Sequence, residues 1–155
     1  MIKIIVIPVQ DKTEEGIKLT ENEKKKEYLC SYKNLCRKLQ SLEEQLQSLR
    51  EVEQSAKIQR LSDMPKGGRQ TDLSDIMVQI EEVFTKIVQK RAECLGRRLE
   101  MEVQIMCVAD GIESAILYKR YIEFKPWEQI CVEMNYCWKQ IHRIHSKALT
   151  DFMMT

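Results

Sequence analysis

Six side chains between residues 138 and 147 have the chemistry to read or grip a polyanion: Trp138, Lys139, Gln140, His142, Arg143 and Lys147. A glutamine offers the paired donor and acceptor that fit an adenine edge, and an arginine the planar fork that fits guanine. Lys139 and Lys147 are point charges suited to phosphate oxygens. At helical spacing these residues take the outer and flanking sides while Ile141, Ile144 and Ala148 or Leu149 turn inward. Trp138 suits an interface as well as a core, and His142 and His145 are expected at the surface, within reach of phosphates.

Such a helix reads bases only if a second element holds it out from the body of the protein. The preceding residues supply one. Pro126 suits the first position of a helix, where a missing N–H costs nothing, and Trp127, Ile130, Cys131 and Met134 then form an inner apolar stripe. Asn135 follows, a residue type that accepts a left-handed backbone, and Tyr136 is placed to plug the turn into the core. Helix, tight turn and crossing helix are the parts of a helix-turn-helix, whose second helix enters the major groove of double-stranded DNA. Lys125, Lys139, Arg143 and Lys147 stand against Glu128 and Glu133, a small local positive surplus.

The string LYKRYIEFKPWEQICVEMNYCWKQIHRIHSKAL, residues 117–149, resembles the C-terminal promoter-recognition domain (region 4) of RNA polymerase sigma factors. The Ile-Ala pair of that pattern is matched by Ile130-Cys131, and its Gly-apolar turn by Asn135-Tyr136. Its helix-opening Ser is replaced by Cys137, whose thiol is a poor capping acceptor. From about Tyr28 the chain is similar to the phage and prophage ArpU-type late-gene transcriptional regulators. The resemblance implies sequence-specific promoter binding through Trp138, Lys139, Gln140, His142, Arg143 and Lys147, in the cytoplasm of a bacterial host cell. No counterpart of the promoter-melting, core-gripping part of a sigma factor is visible, which favours a regulator or accessory factor.

Other chemistries find less support. Cys131, Cys137, His142 and His145 are spaced C-x5-C-x4-H-x2-H, which matches no known finger, and two of the four would have to leave the core or cap to bind zinc. Neither a phosphate-binding glycine loop nor a nucleophile elbow is present. The expectation is a non-enzymatic chain without metal or cofactor.

The elements that must carry this module are helical. Lys plus Arg number 25 against 24 Asp plus Glu, a net charge of +1 that provides no global field for indiscriminate polyanion or membrane binding. Glycine (5) and proline (3) are scarce, which favours long helices over many-turned sheets. The six cysteines follow no export signal and are expected as free thiols. Residues 1–24 are read as a tail or leader, with either a short strand or a loosely attached tail at MIKIIVIPVQ and a charge run at Lys24-Lys25-Lys26 that is mostly a solvated helix start. Residues 25–108 are read as a long helical hairpin. Its first stripe runs Tyr28, Tyr32, Leu35, Leu39, Leu42, Leu46, Leu49 and Ala56, its second Ile76, Ile80, Val83, Ile87, Cys94, Met101, Ile105 and Val108. A break near 63–71, marked by Pro65, Gly67 and Gly68, makes the pair antiparallel, with Thr71 or Asp72 capping the second helix. Residues 109–152 are the helix-turn-helix domain, opened by Asp110-Gly111 and a helix whose inner face holds Ile112, Ile116 and either Leu117 or Tyr118.

The fold expected is therefore all-α, a coiled-coil-like antiparallel hairpin followed by a small helix-turn-helix bundle. The function expected is a sequence-specific transcriptional regulator reading promoter or operator DNA. The rival is a structural or adaptor protein whose hairpin binds a partner such as RNA polymerase and whose C-terminal bundle merely caps it. A two-helix hairpin also has an exposed side that a second copy would cover, and the sequence leaves open whether the core is shared in a homodimer.

Overall fold

The computed structural model describes residues 20–61 and 73–154, the side chains of 59–61 excepted. The expected N-terminal strand or tail, the Pro/Gly break and the cap at Thr71 or Asp72 lie outside the described residues. Five helices and no strand form the described residues: α1 (Glu21–Leu61), α2 (Leu73–Met106), α3 (Gly111–Tyr121), α4 (Trp127–Met134) and α5 (Trp138–Asp151). The chain is all-α.

The first helix begins earlier than the sequence division at residue 25 implies. The Thr20 hydroxyl accepts from the Glu23 N–H at 3.3 Å, and the Glu23 carboxylate accepts from the Thr20 N–H at 2.7 Å. This reciprocal cap starts α1 at Glu21. These bonds to Thr20 also hold the Glu23 carboxyl below its ordinary range.

The two long helices pack antiparallel, as contacts along their length show. Arg91 reaches Glu43 at 2.6 Å, Arg98 and Tyr32 interact, and Arg97 lies over the Tyr28 ring at 5.3 Å, so the α2 number rises as the α1 number falls. On α2 the expected stripe faces α1: Ile76, Val83, Ile87, Cys94, Met101 and Ile105 are buried and Ile80 is half-buried, while Val108, buried too, lies just past the end of the helix. On α1 the inner positions are Leu29 and Tyr32, both buried, with Tyr28, Leu35 and Leu39 half-buried against them.

The other three helices fold onto the end of the hairpin where α1 begins and α2 ends. Asp110 caps α3, its carboxylate accepting from the N–H groups of Ile112 (2.8 Å) and Glu113 (3.3 Å). The inner face of α3 differs from expectation. Ile112 is exposed, while Glu113, Ile116, Leu117 and Tyr121 are buried. The larger core cluster joins Leu29, Tyr32, Met101 and Ile105 of the hairpin to Leu117, Tyr121, Leu149 and Phe152 of the C-terminal module. Lys25, read as part of a solvated run, is buried and donates to the carbonyls of Leu149 (2.9 Å) and Thr150 (3.0 Å). A cation satisfying the orphan carbonyls at the end of α5 also suits the negative end of its dipole. The boundary at residue 109 therefore separates two stretches of sequence that share one core.

Candidate nucleic-acid interface

The turn that aims α5 is built as its residues dictate. Asn135 adopts φ 55° and ψ 39°, the left-handed region, and its N–H bonds back to the end of α4. Pro126 sits one position earlier than expected, as the residue preceding the first turn of α4, with ψ 154°. A second core cluster, Ile116, Ile130 and Ile141, holds α3, α4 and α5 together, with Trp127, Cys131, Met134, Tyr136 and Ile144 packed around it. Of the residues expected in the helix-turn-helix core, Leu149 alone lies in the larger cluster shared with the hairpin.

Helix α5 opens at Trp138 after Cys137. The Gln140 side chain takes part in that opening, its Oε1 accepting from the Cys137 N–H at 3.1 Å. Gln140 thus has a structural duty besides its exposed position.

The six residues expected to touch DNA are not equivalent. Lys139 and Arg143 are exposed and hold no ion pair among the described residues. They stand four residues apart, on one face of the helix. Lys147 is exposed too, but its ammonium is bound by the buried carboxylate of Glu113 and lies 3.8 Å from Asp151. The Glu113 bond holds the Lys147 ammonium above its ordinary range. His142 is half-buried between two indoles, 4.6 Å from Trp127 and 4.7 Å from Trp138 by ring centroids, and its Nε2 is buried without a hydrogen-bond partner. Trp138 keeps about half of its surface exposed, at 51%. Its ring flanks the Lys139–Arg143 face and covers one side of His142.

His145 departs furthest from expectation. It is buried, not at the surface, its Nε2 is 3.0 Å from the Tyr121 hydroxyl, and its ring lies 4.9 Å from Trp127. Burial, then the nearby charges of Lys26, His142 and Arg120, pushes it down to about 4, so it is neutral at physiological pH. Arg120 completes the stack with its guanidinium 4.7 Å over the Trp127 ring and a bond to the Lys125 carbonyl at 3.0 Å. Sequence spacing did not single out Arg120 or Glu113, because each is recognised only through what α4 and α5 bring to it.

The remaining cations of the module are spoken for. Glu133 accepts from Lys119 at 2.6 Å and from Lys125 at 2.8 Å, which holds its carboxyl at about 2. Lys125 also pairs with Glu123 at 3.0 Å. Of the positive side chains on α3, α4 and α5, only Lys139 and Arg143 project without an internal partner among the described residues.

Residues 52–152 match the family described as Protein of unknown function (DUF1492), nearly two thirds of the chain. The chain belongs to the DUF1492 family. The matched span runs from the last turns of α1 through α2 and the whole three-helix module, so Lys25, Leu29 and Tyr32, which complete the shared core of this DUF1492 member, precede it. No curated protein and no solved structure matches the chain.

Proposed function

We propose that this DUF1492 member is a sequence-specific transcriptional regulator that places α5 in the major groove of promoter or operator DNA. The observation that carries the reading is the sorting of charge. Lys119, Arg120, Lys125 and Lys147 are held by partners within the fold, whereas Lys139 and Arg143 point outward, four residues apart, beside an exposed Trp138. A helix held out by a left-handed turn with its unpaired cations on one face is what phosphate and base-edge contacts require. The resemblance of residues 117–149 to sigma-factor promoter-recognition domains, and of the longer chain to ArpU-type phage regulators, supports the same assignment and suggests RNA polymerase as a second partner. No catalytic step is assigned to the protein.

Fluorescence anisotropy on fragments from upstream of the neighbouring genes tests this, at two salt concentrations. The variant of choice is Lys139→Ala with Arg143→Ala, since Gln140 supports the start of α5 and Lys147 neutralises a buried carboxylate. Loss of fragment-selective binding with unchanged helicity is the expected result. The slope of log affinity against log salt should become shallower by about 0.9 for each phosphate contact removed. Equal, weak binding of both proteins to every fragment would sink the reading. The rival adaptor reading rests instead on the helical hairpin, and predicts that the double variant behaves as the parent protein does.

A further inference from the structure

Helix α2 carries two apolar stripes, and α1 covers only one. The second consists of Met77, Phe84, Val88, Leu95, Leu99 and Met106, each between 50% and 78% exposed. Their spacing alternates seven and four residues, so Met77, Val88 and Leu99 recur every eleven residues, as do Phe84, Leu95 and Met106. An eleven-residue repeat returns to nearly the same face of a helix after three turns, so the stripe stays straight for about 44 Å instead of winding away. With Val78 and Val103 beside it, the face exposes on the order of 700 Å² of apolar side chain, more than a soluble monomer ordinarily shows and close to the roughly 800 Å² that each partner buries in a stable interface.

We infer that this face is a homodimer interface in which α2 pairs antiparallel with α2 of a second copy, the two-fold axis passing between Arg91 and Ala92. A second copy fits the face both in the area it offers and in symmetry. A two-fold antiparallel pairing requires every residue of the seam to have a counterpart equally far beyond the axis. Met77 matches Met106, Phe84 matches Leu99, and Val88 matches Leu95, all about the same point. The alternation of seven and four residues gives the stripe this mirror relation, which sets the register of a self-pairing; the area of the face, close to what each partner of a stable dimer buries, matches it in size.

Two further observations fit a close approach at that axis. Ala92 lies beside it, and one turn on is Gly96, a residue that weakens a helix interior relative to alanine. Within the monomer Gly96 has no packing reason to be glycine, since a Cβ there would meet nothing within 4 Å. Against another helix backbone it has one. The same register brings Glu81 toward Glu102 of the second copy at the edge of the seam, where Arg98 already neutralises Glu102 at 2.9 Å.

Sedimentation equilibrium of the full chain decides the matter, with far-UV circular dichroism on each variant to confirm helicity. The 18.4 kDa chain should sediment as a dimer, and Leu95→Glu or Val88→Lys alone should weaken the association at least about 100-fold. Both positions are exposed in the monomer, so neither change touches the fold. The double variant V88K/L95E should recover the dimer, because in the antiparallel register each lysine meets the partner's glutamate. A parent protein that stays monomeric at 100 μM, including one that instead binds RNA polymerase through this face, would overturn the inference. So would a dimer indifferent to Leu95→Glu, or one that the double variant does not restore. DNA binding plays no part in the measurement.

Discussion

His142 and His145 show why the type of a residue and its place on a wheel do not fix its role. Both were expected at the surface of α5, yet His145 turns into the space between Tyr121 and Trp127, because α3 and α4 deliver aromatic rings there that no local spacing announces. The consequence is measurable. Folded His145 titrates at about 4 against an unfolded value near 6.5, so as pH falls the unfolded chain takes up the proton first. Its contribution to stability is intact above about pH 6.5 and is lost progressively down to about 4. Chemical denaturation at pH 7 and 4.5 should show that His145→Gln loses about 2 kcal/mol less on acidification than the parent protein does. Equal losses in the two proteins would mean that His145 is not the titrating group. Lys147 gives a second case at this scale. Its removal leaves the Glu113 carboxylate buried and unpaired, so Lys147→Ala should lower the melting temperature, whereas Lys139→Ala should leave the melting temperature unchanged and, on the proposed function, lower DNA affinity alone.

The elements themselves were largely legible. Seven-residue periodicity is a property of neighbours along the chain, so both hairpin helices and their facing stripe on α2 follow from apolar spacing. The punctuation of the C-terminal module was equally local: Asp110 caps α3, and Asn135 takes the left-handed turn. Less legible were the ends that depend on distant partners. The Thr20–Glu23 cap was present in the letters but hidden in a polar stretch, and Phe152, fully buried past the end of α5, owes its place to Tyr28 and Leu29 on α1. The turn offers a clean prediction. Asn135→Gly should leave stability within a few tenths of a kcal/mol, since glycine adopts the left-handed region freely, while Asn135→Val should cost about 1–2 kcal/mol. Urea midpoints of the two variants check it, and equal effects would refute the assigned role of the turn. At the far end of α5, Lys25→Met removes the donor to the Leu149 and Thr150 carbonyls across the hairpin boundary and should cost about 2 kcal/mol.

At the scale of the whole molecule, the question is whether hairpin and helix-turn-helix are two bodies or one. The sequence suggested a boundary at residue 109, because the apolar rhythm changes there and a cap follows. Packing argues for a single cooperative unit. Phe152 has no exposed surface and lies in one cluster with Leu29 and Tyr32 of α1, Met101 and Ile105 of α2, and Leu117 and Tyr121 of α3. This arrangement ties the C-terminal end of α5 to α1 directly and to α2 through the residues of α1 and α3 that share the cluster. The two tryptophans make the coupling testable, since Trp127 and Trp138 both lie in the C-terminal module while most helical residues belong to α1 and α2. Tryptophan fluorescence therefore reports one part and far-UV circular dichroism mainly the other. Their melting transitions should coincide in the parent protein. Phe152→Ala should destabilise by about 3–5 kcal/mol, the range for emptying a buried phenylalanine site, and should move both transitions together. If the fluorescence transition alone moved, the shared cluster would be a contact between independent domains, and α5 would be free to reorient on the hairpin.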